Sequence, residues 1–186
     1  MVAPARLMTV QAFERWIESP EAQGRWVELI HGIPVEKMPN QEHGQIADNL
    51  YRPLTNFVHA QKLGRLVFEV LYKAPADPHN VRQPDIAFTS RDHLLPLTKR
   101  GAAPLIPDLC IEIKSPGNSI PQLREKAEYY LNNGGRMVWL IYPGQKIIEV
   151  YTADDVIILT ESDTLTGGDV IPGFTLPLTE VFAEGM

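Results

Sequence analysis

Two apolar runs stand out along the chain, VRQPDIAFTS at 81–90 and IPDLCIEIKSPGNS at 106–119, joined by a polar and proline-rich connector. In the second run Leu109, Ile111 and Ile113 alternate with Asp108, Cys110, Glu112 and Lys114. That period of two is the signature of a strand, whose side chains point to opposite faces in turn. One face is wholly apolar and belongs against a core. The other carries Asp-x-Cys-x-Glu-x-Lys, an unusual row to bury. In the first run Asp85, Ala87 and Thr89 share a face, with Ile86 and Phe88 opposite. Pairing of the two strands would bring Asp85 and Glu112 to one patch with Lys114 beside them. Two carboxylates and an amine on a rigid sheet suit a divalent cation and a phosphate.

The remaining pattern supplies elements to frame that patch. Thr9 to Ser19 reads as a short amphipathic helix with Phe13, Trp16 and Ile17 on one side and Thr9 as its N-cap. Trp26 to Met38 reads as a hairpin turning at His31-Gly32. Glu42 to Leu63 carries a helical stripe of Ile46, Ala47, Leu50, Leu54, Phe57 and Val58, and Pro53 within it predicts a kink or a break. Gly64 to Ala74 reads as a strand, and Arg91 to Pro107 as a short helix and a locally basic loop. Ser119 and Gln122 have the spacing of a capping box, opening a helix that stops at Gly134-Gly135. Leu123, Ala127, Tyr130 and Leu131 form its buried stripe. Lys126 flanks that stripe, as a surface lysine or one reaching back to the sheet. Arg136–Tyr142, Lys146–Tyr151 and Val156–Thr160 read as a three-stranded meander, and the proline-punctuated tail is expected to wrap the outside.

This order predicts one domain over residues 1–186, a mixed sheet flanked by helices of the α/β or α+β class. The strand of Glu112, the helix after it and the strand Arg136–Tyr142 form a βαβ unit, which implies that those two strands are parallel. Glu112 and Lys114 then sit near the C-terminal end of their strand, where ligand sites in such sheets gather.

Composition narrows the chemistry. The 186 residues are 44% hydrophobic and 22% charged, ordinary for a soluble globular protein with a full core. No apolar run is long enough to span a bilayer and the N-terminus lacks a signal-peptide core, so a cytoplasmic location is expected. Cys110 is the single cysteine, which excludes an internal disulfide and a cysteine-based zinc site. The five histidines show no metal-ligand spacing. A net charge of −6 argues against coating nucleic acid by charge alone. It does not exclude a nuclease, because a carboxylate site repels phosphate only until a cation fills it.

Other polar residues have two readings each. Glu28 shares a strand face with Trp26 and Ile30. It either reaches solvent at a strand edge or serves as an accessory acid near the patch. His43, at the start of the long helix, is either structural or turned toward the carboxylates. Lys114 is either part of the chemistry or the counter-ion of Asp85 or Glu112 in a buried salt bridge.

Asp85 with Glu112-Ile113-Lys114 resembles the PD-(D/E)xK motif of restriction-endonuclease-like nucleases. More closely, the chain resembles the Uma2 family, a domain of unknown function. The matching pieces are VELIHG at 27–32, His43 opening a helix, VRQPDIAF at 81–88, PDLCIEIKSP at 107–116, the helix with Lys126 and Tyr130, MVWLIYP at 137–143 and the closing VIPGFTLPLTEVF. They run in the family's order from about Thr9 to Phe182. The resemblance implies a restriction-endonuclease-like core with an extra N-terminal hairpin and C-terminal meander strands, and a Mg²⁺- or Mn²⁺-dependent endonuclease acting on DNA. On this sequence it implies Asp85 and Glu112 as metal ligands, helped by the Ile113 carbonyl, and Lys114 as the lysine that polarises the attacking water. Lys126 matches a family lysine and is placed to share or replace that role. Many members carry another residue where Lys114 stands, and the expected Gly-Val before the central strand is here Gly135-Arg136-Met137. The competing reading is a catalytically inactive nuclease fold that binds nucleic acid or protein. A homodimer is expected by analogy with nucleases that cut both strands.

Overall fold

The computed structural model describes residues 7–184, which divide into two compact units. The first unit comprises residues 7–38, Val70–Gln83 and Pro96–Ile106. Its helix α1 (Val10–Ile17) is capped by Thr9, whose hydroxyl accepts the Ala12 N–H at 3.2 Å. Strands β1 (Val27–Ile30) and β2 (Ile33–Glu36) pair as the expected hairpin. His31 and Gly32 both take positive φ, 49° and 77°. A two-residue turn of this hand matches the strand twist. Gly32 also has no room for a side chain, since a Cβ there would lie 2.7 Å from that of Leu7. Val10, Phe13, Val27, Leu29, Val81 and Ala102 make the core of this unit.

The second unit comprises Pro39–Glu69, Pro84–Leu95 and residues 107–184. It holds α2 (Gln41–Gln61), β3 (Gly64–Phe68), β4 (Ile86–Ser90), β5 (Leu109–Ile113), α3 (Ile120–Asn132), β6 (Met137–Tyr142), β7 (Ile147–Thr152), β8 (Val156–Leu159), β9 (Thr164–Thr166), β10 (Thr175–Pro177) and α4 (Leu178–Val181). Strands β3 to β8 form one sheet in chain order. β5 and β6 are parallel and every other pair is antiparallel, so the βαβ unit is present. The fold is a mixed sheet flanked by helices, as the pattern predicts.

Ile46, Leu50, Leu54 and Val58 of α2 pack with Leu109, Ile111 and Ile113 on one face of the sheet. α3 lies on the other, with Leu123, Ala127 and Tyr130 buried. Ser119 and Gln122 close the capping box at its start.

Three expectations need correction. Of the kink or break expected at Pro53, the break is absent, since α2 is continuous from Gln41 to Gln61. A helix-interior proline costs about 3 kcal/mol. Leu54 and Val58, both fully buried beyond it, each stabilise by roughly 1.5–3 kcal/mol, so continuing the helix wins. The strand expected over Gly64–Ala74 ends at Phe68, because Glu69 turns left-handed at φ 54°. The tail does not wrap the outside. It folds as the β9–β10 hairpin and α4, and Leu165, Ile171, Leu176, Leu178 and Val181 are core residues. No helix among the described residues is long and apolar enough to cross a membrane.

Candidate active site

Strand register sets Asp85 and Glu112 side by side. Ile86 pairs with Ile111 across the antiparallel β4–β5 ladder, so Asp85, one residue before β4, is level with Glu112. The Asp85 N–H donates to the Ile111 carbonyl at 3.0 Å. Its Oδ2 accepts the Ile113 N–H at 2.7 Å and lies 3.0 Å from Nε2 of His43. Pro84 holds Gln83 before it to extended backbone, so the chain runs straight into the strand. His43 is held in the first turn of α2, where its N–H donates to the N-cap Asn40 Oδ1 at 2.9 Å. Of its two readings, the structure gives the one that faces a carboxylate.

Glu112 is 2% exposed. Its Oε2 accepts from Lys126 Nζ at 3.1 Å and its Oε1 from the Tyr130 hydroxyl at 2.7 Å, both donors coming from α3. Lys126 is itself buried. An unpaired charge at such depth would cost several kcal/mol, so this lysine and this acid sustain one another. Lys126 and Tyr130 are four residues apart and share a helix face. That spacing was visible in the sequence, but Tyr130 read there as core only.

Lys114 takes neither role foreseen in a salt bridge. Its N–H continues the sheet by donating to the Ile141 carbonyl at 2.9 Å, and its ammonium donates to the Ser115 carbonyl at 3.5 Å. It lines an open groove of about 390 Å³ with Glu42, Pro116, Pro143, Gly144 and Gln145. Glu28 lies in the first unit. It is 1% exposed, so it does not reach solvent, and its Oε1 accepts the Gln83 N–H at 2.8 Å. The isolated bridge between Leu29 and Val81 draws the two segments together there and buries it.

Two further acids were passed over in the sequence. Asp108, at the foot of β5, accepts the Ser90 N–H at 2.8 Å and His93 Nδ1 at 2.7 Å. Burial pushes its pKa up, but these bonds more than offset that and leave it below the usual value. Glu149 on β7 accepts from Arg124 Nε at 3.2 Å and Nη2 at 2.5 Å, and from the hydroxyls of Tyr142 at 3.0 Å and Tyr151 at 2.9 Å. Burial again opposes ionisation, and Arg124 and the two phenols outweigh it, so the pKa is lowered. Burial beside this carboxylate raises both phenols, Tyr151 to about 12. Cys110, fully buried next to Glu112 and Asp108, has its thiol pushed well up and is inert.

The model of the Uma2 family, described as "Putative restriction endonuclease", matches residues 10–179. The chain belongs to the Uma2 family. A solved structure of "a putative nuclease belonging to DUF820" from Anabaena variabilis ATCC 29413 is similar in fold, with a TM-score of 0.80. The two share 22% identity over 94% of this chain and 97% of that one. No curated protein matches the chain. The Uma2 match spans both units described above and every candidate site residue.

Among the described residues, no three or more His, Cys, Asp or Glu side chains are gathered as a metal cluster. A two-carboxylate site is the sparser kind. Mg²⁺ binds through one or two carboxylates, keeps several waters and takes further oxygens from substrate phosphates. Asp85 and Glu112 offer hard oxygens level with one another at a strand end, which fits such an ion.

Proposed function

We propose that this protein is a divalent-metal-dependent endonuclease that hydrolyses phosphodiester bonds in DNA, with Asp85 and Glu112 as metal ligands and Lys126 as the lysine of the site. The observation that carries this reading is the Glu112 carboxylate, buried on a sheet, level with Asp85 and held by the Lys126 ammonium. Membership in a family described as "Putative restriction endonuclease" supports the same chemistry. A bound Mg²⁺ or Mn²⁺ would lower the pKa of a water and offset charge developing on the scissile phosphate.

The chain's own residues do the rest. His43 and the Ile113 N–H fix the orientation of Asp85. Tyr130 fixes Glu112, leaving its carboxylate aligned for a cation. Lys126 supplies positive charge beside the phosphate position and holds a proton at Nζ. Lys114, on the rim of the open groove, contacts a flanking phosphate instead of the reacting one. The second unit as defined above carries nine Lys and Arg against seventeen Asp and Glu. Such a balance repels a polyanion, so DNA binding at this site calls for the cation. A homodimer would present two sites, one for each strand of a duplex.

A second reading rests on the same contacts. Asp85 with His43, and Glu112 with Lys126, are balanced pairs, and an inactive binding module would hold its carboxylates this way. Calorimetric titration of Mn²⁺ and Mg²⁺ into the wild type and the Asp85→Ala/Glu112→Ala protein, with a parallel plasmid-cleavage assay, separates the two. Metal binding and cleavage that both vanish in the double variant support the nuclease. Absence of metal binding at millimolar concentration with DNA present would give the binding module the lead.

A further inference from the structure

Glu149 and Arg124 take no part in the site just described, yet they sit on the same side of the same sheet. The parallel ladder places Glu112 opposite Leu140, and the next ladder places Leu140 opposite Glu149. One row therefore runs from Glu112 on β5, across β6, to Glu149 on β7, a span of roughly 10 Å at strand spacing. α3 lies over this row. At 100° per residue its buried stripe of Leu123, Ala127 and Tyr130 has Lys126 on one flank and Arg124 on the other. Lys126 reaches down to Glu112 and Arg124 reaches down to Glu149. The helix straddles β6 and is tied to the sheet on both sides.

Apolar contacts alone leave a helix free to roll, because dispersion has no direction. A forked guanidinium on a carboxylate does have one. Glu149 is 3% exposed and takes four donors, so its carboxylate is immobile. We infer that the Arg124–Glu149 pair, braced by Tyr142 and Tyr151, is a positioning device that sets the roll of α3 and so holds Lys126 Nζ and Tyr130 OH on Glu112. The inference rests on the nuclease reading only for the consequence in cleavage. The consequence for Lys126 stands without it.

The test uses the full chain and lysine labelling by acetic anhydride, read residue by residue by mass spectrometry. In Arg124→Ala, Lys126 should label about tenfold faster than in the wild type, while Lys73 of the first unit labels at an unchanged rate. Arg124→Lys keeps the charge without the fork and should fall between the two. Glu149→Gln should behave like Arg124→Ala, and serves as the second variant if that one does not fold. If the wild type cleaves DNA, both variants should lose rate about tenfold, with Mn²⁺ affinity altered by roughly a few fold as the donors on Glu112 loosen. A Lys126 labelling rate equal to the wild type in variants whose melting temperature has fallen would overturn the proposal and leave the pair a plain stabiliser. Failure of the wild type to cleave would count against the nuclease reading and leave the labelling result to decide this one.

Discussion

Glu112 and Glu149 stand in one row of the sheet, on one face, under one helix, and both are buried almost completely. Their partners differ. Glu149 is met by a forked arginine and two phenols, and its two oxygens accept four hydrogen bonds. Glu112 accepts from an amine on one oxygen and from a phenol on the other, with no arginine fork. Arginine stays charged at any working pH and matches a carboxylate rigidly, whereas a lysine is a mobile point charge that can turn toward another anion. A buried acid on a strand is thus an equivocal sign. On the nuclease reading, the kind of cation beside it separates an anchor from a site.

The largest effect should come from exchanging the cation at Glu112. Lys126→Met keeps the length and removes the charge, leaving Glu112 buried without its lysine, for a stability loss of about 3 kcal/mol by urea unfolding. Metal-dependent cleavage should fall by roughly a hundredfold or more. Lys114→Ala should change stability by less than about 0.5 kcal/mol, since its ammonium makes a long bond of 3.5 Å to the Ser115 carbonyl. Its effect should appear in KM and salt dependence, not in kcat. The reverse outcome, with Lys114→Ala losing kcat and Lys126→Met keeping it, would return the catalytic role to Lys114.

Glu149→Gln should cost less, about 2 kcal/mol, because glutamine still accepts from the phenols while Arg124 keeps access to solvent. The loss should depend on pH. The folded pKa of Glu149 lies below its ordinary 4.5. Its stabilisation is therefore fully present above about that pH and is lost as pH falls through the folded value. Urea unfolding at neutral pH and at successively lower pH should show the gap between wild type and variant closing only below the ordinary glutamate range. Asp108, also lowered, affects both proteins equally and cancels. A gap that stays constant down to pH 3 would mean that the carboxylate's charge contributes nothing.

Much of the candidate site's geometry was legible because strands write their faces into the sequence. The alternation around Leu109–Ile113 placed Glu112 opposite the core, and the βαβ order placed a helix above it. The nuclease motif then pointed to Lys114, two residues on. Strand alternation puts residue 114 on the face of 112 only while the strand lasts, and β5 ends at Ile113. A lysine fourteen residues away, Lys126, reaches Glu112, because α3 folds back over its own strand. Glu149 was not legible for a related reason. KIIEVY alternates as well as any strand, but nothing local reveals that Arg124 from another element will sit on it. Pro53 and the tail misled because their local chemistry argues for breaks and surfaces. The burial of Leu54, Val58, Leu165 and Leu176, which overrides it, is set by distant residues.

The smallest effects come from removing one hydroxyl from each acid. Tyr130→Phe takes one donor from Glu112, and Tyr151→Phe takes one of four from Glu149. Each loses a charge-assisted bond of about 1.5 kcal/mol in the buried case, with the exposed side of Tyr151 recovering part of it through water. The stability changes should therefore be similar and modest, and Tyr151→Phe the smaller. Their consequences for function should diverge. With Tyr130 gone, one oxygen of Glu112 loses its fixed donor, so calorimetry should show Mn²⁺ affinity altered by a few fold. With Tyr151 gone, the guanidinium fork still holds Glu149, so Mn²⁺ affinity should match the wild type. Equal metal affinities in both variants would show that Tyr130 serves packing alone, and that the two acids differ less than their partners suggest.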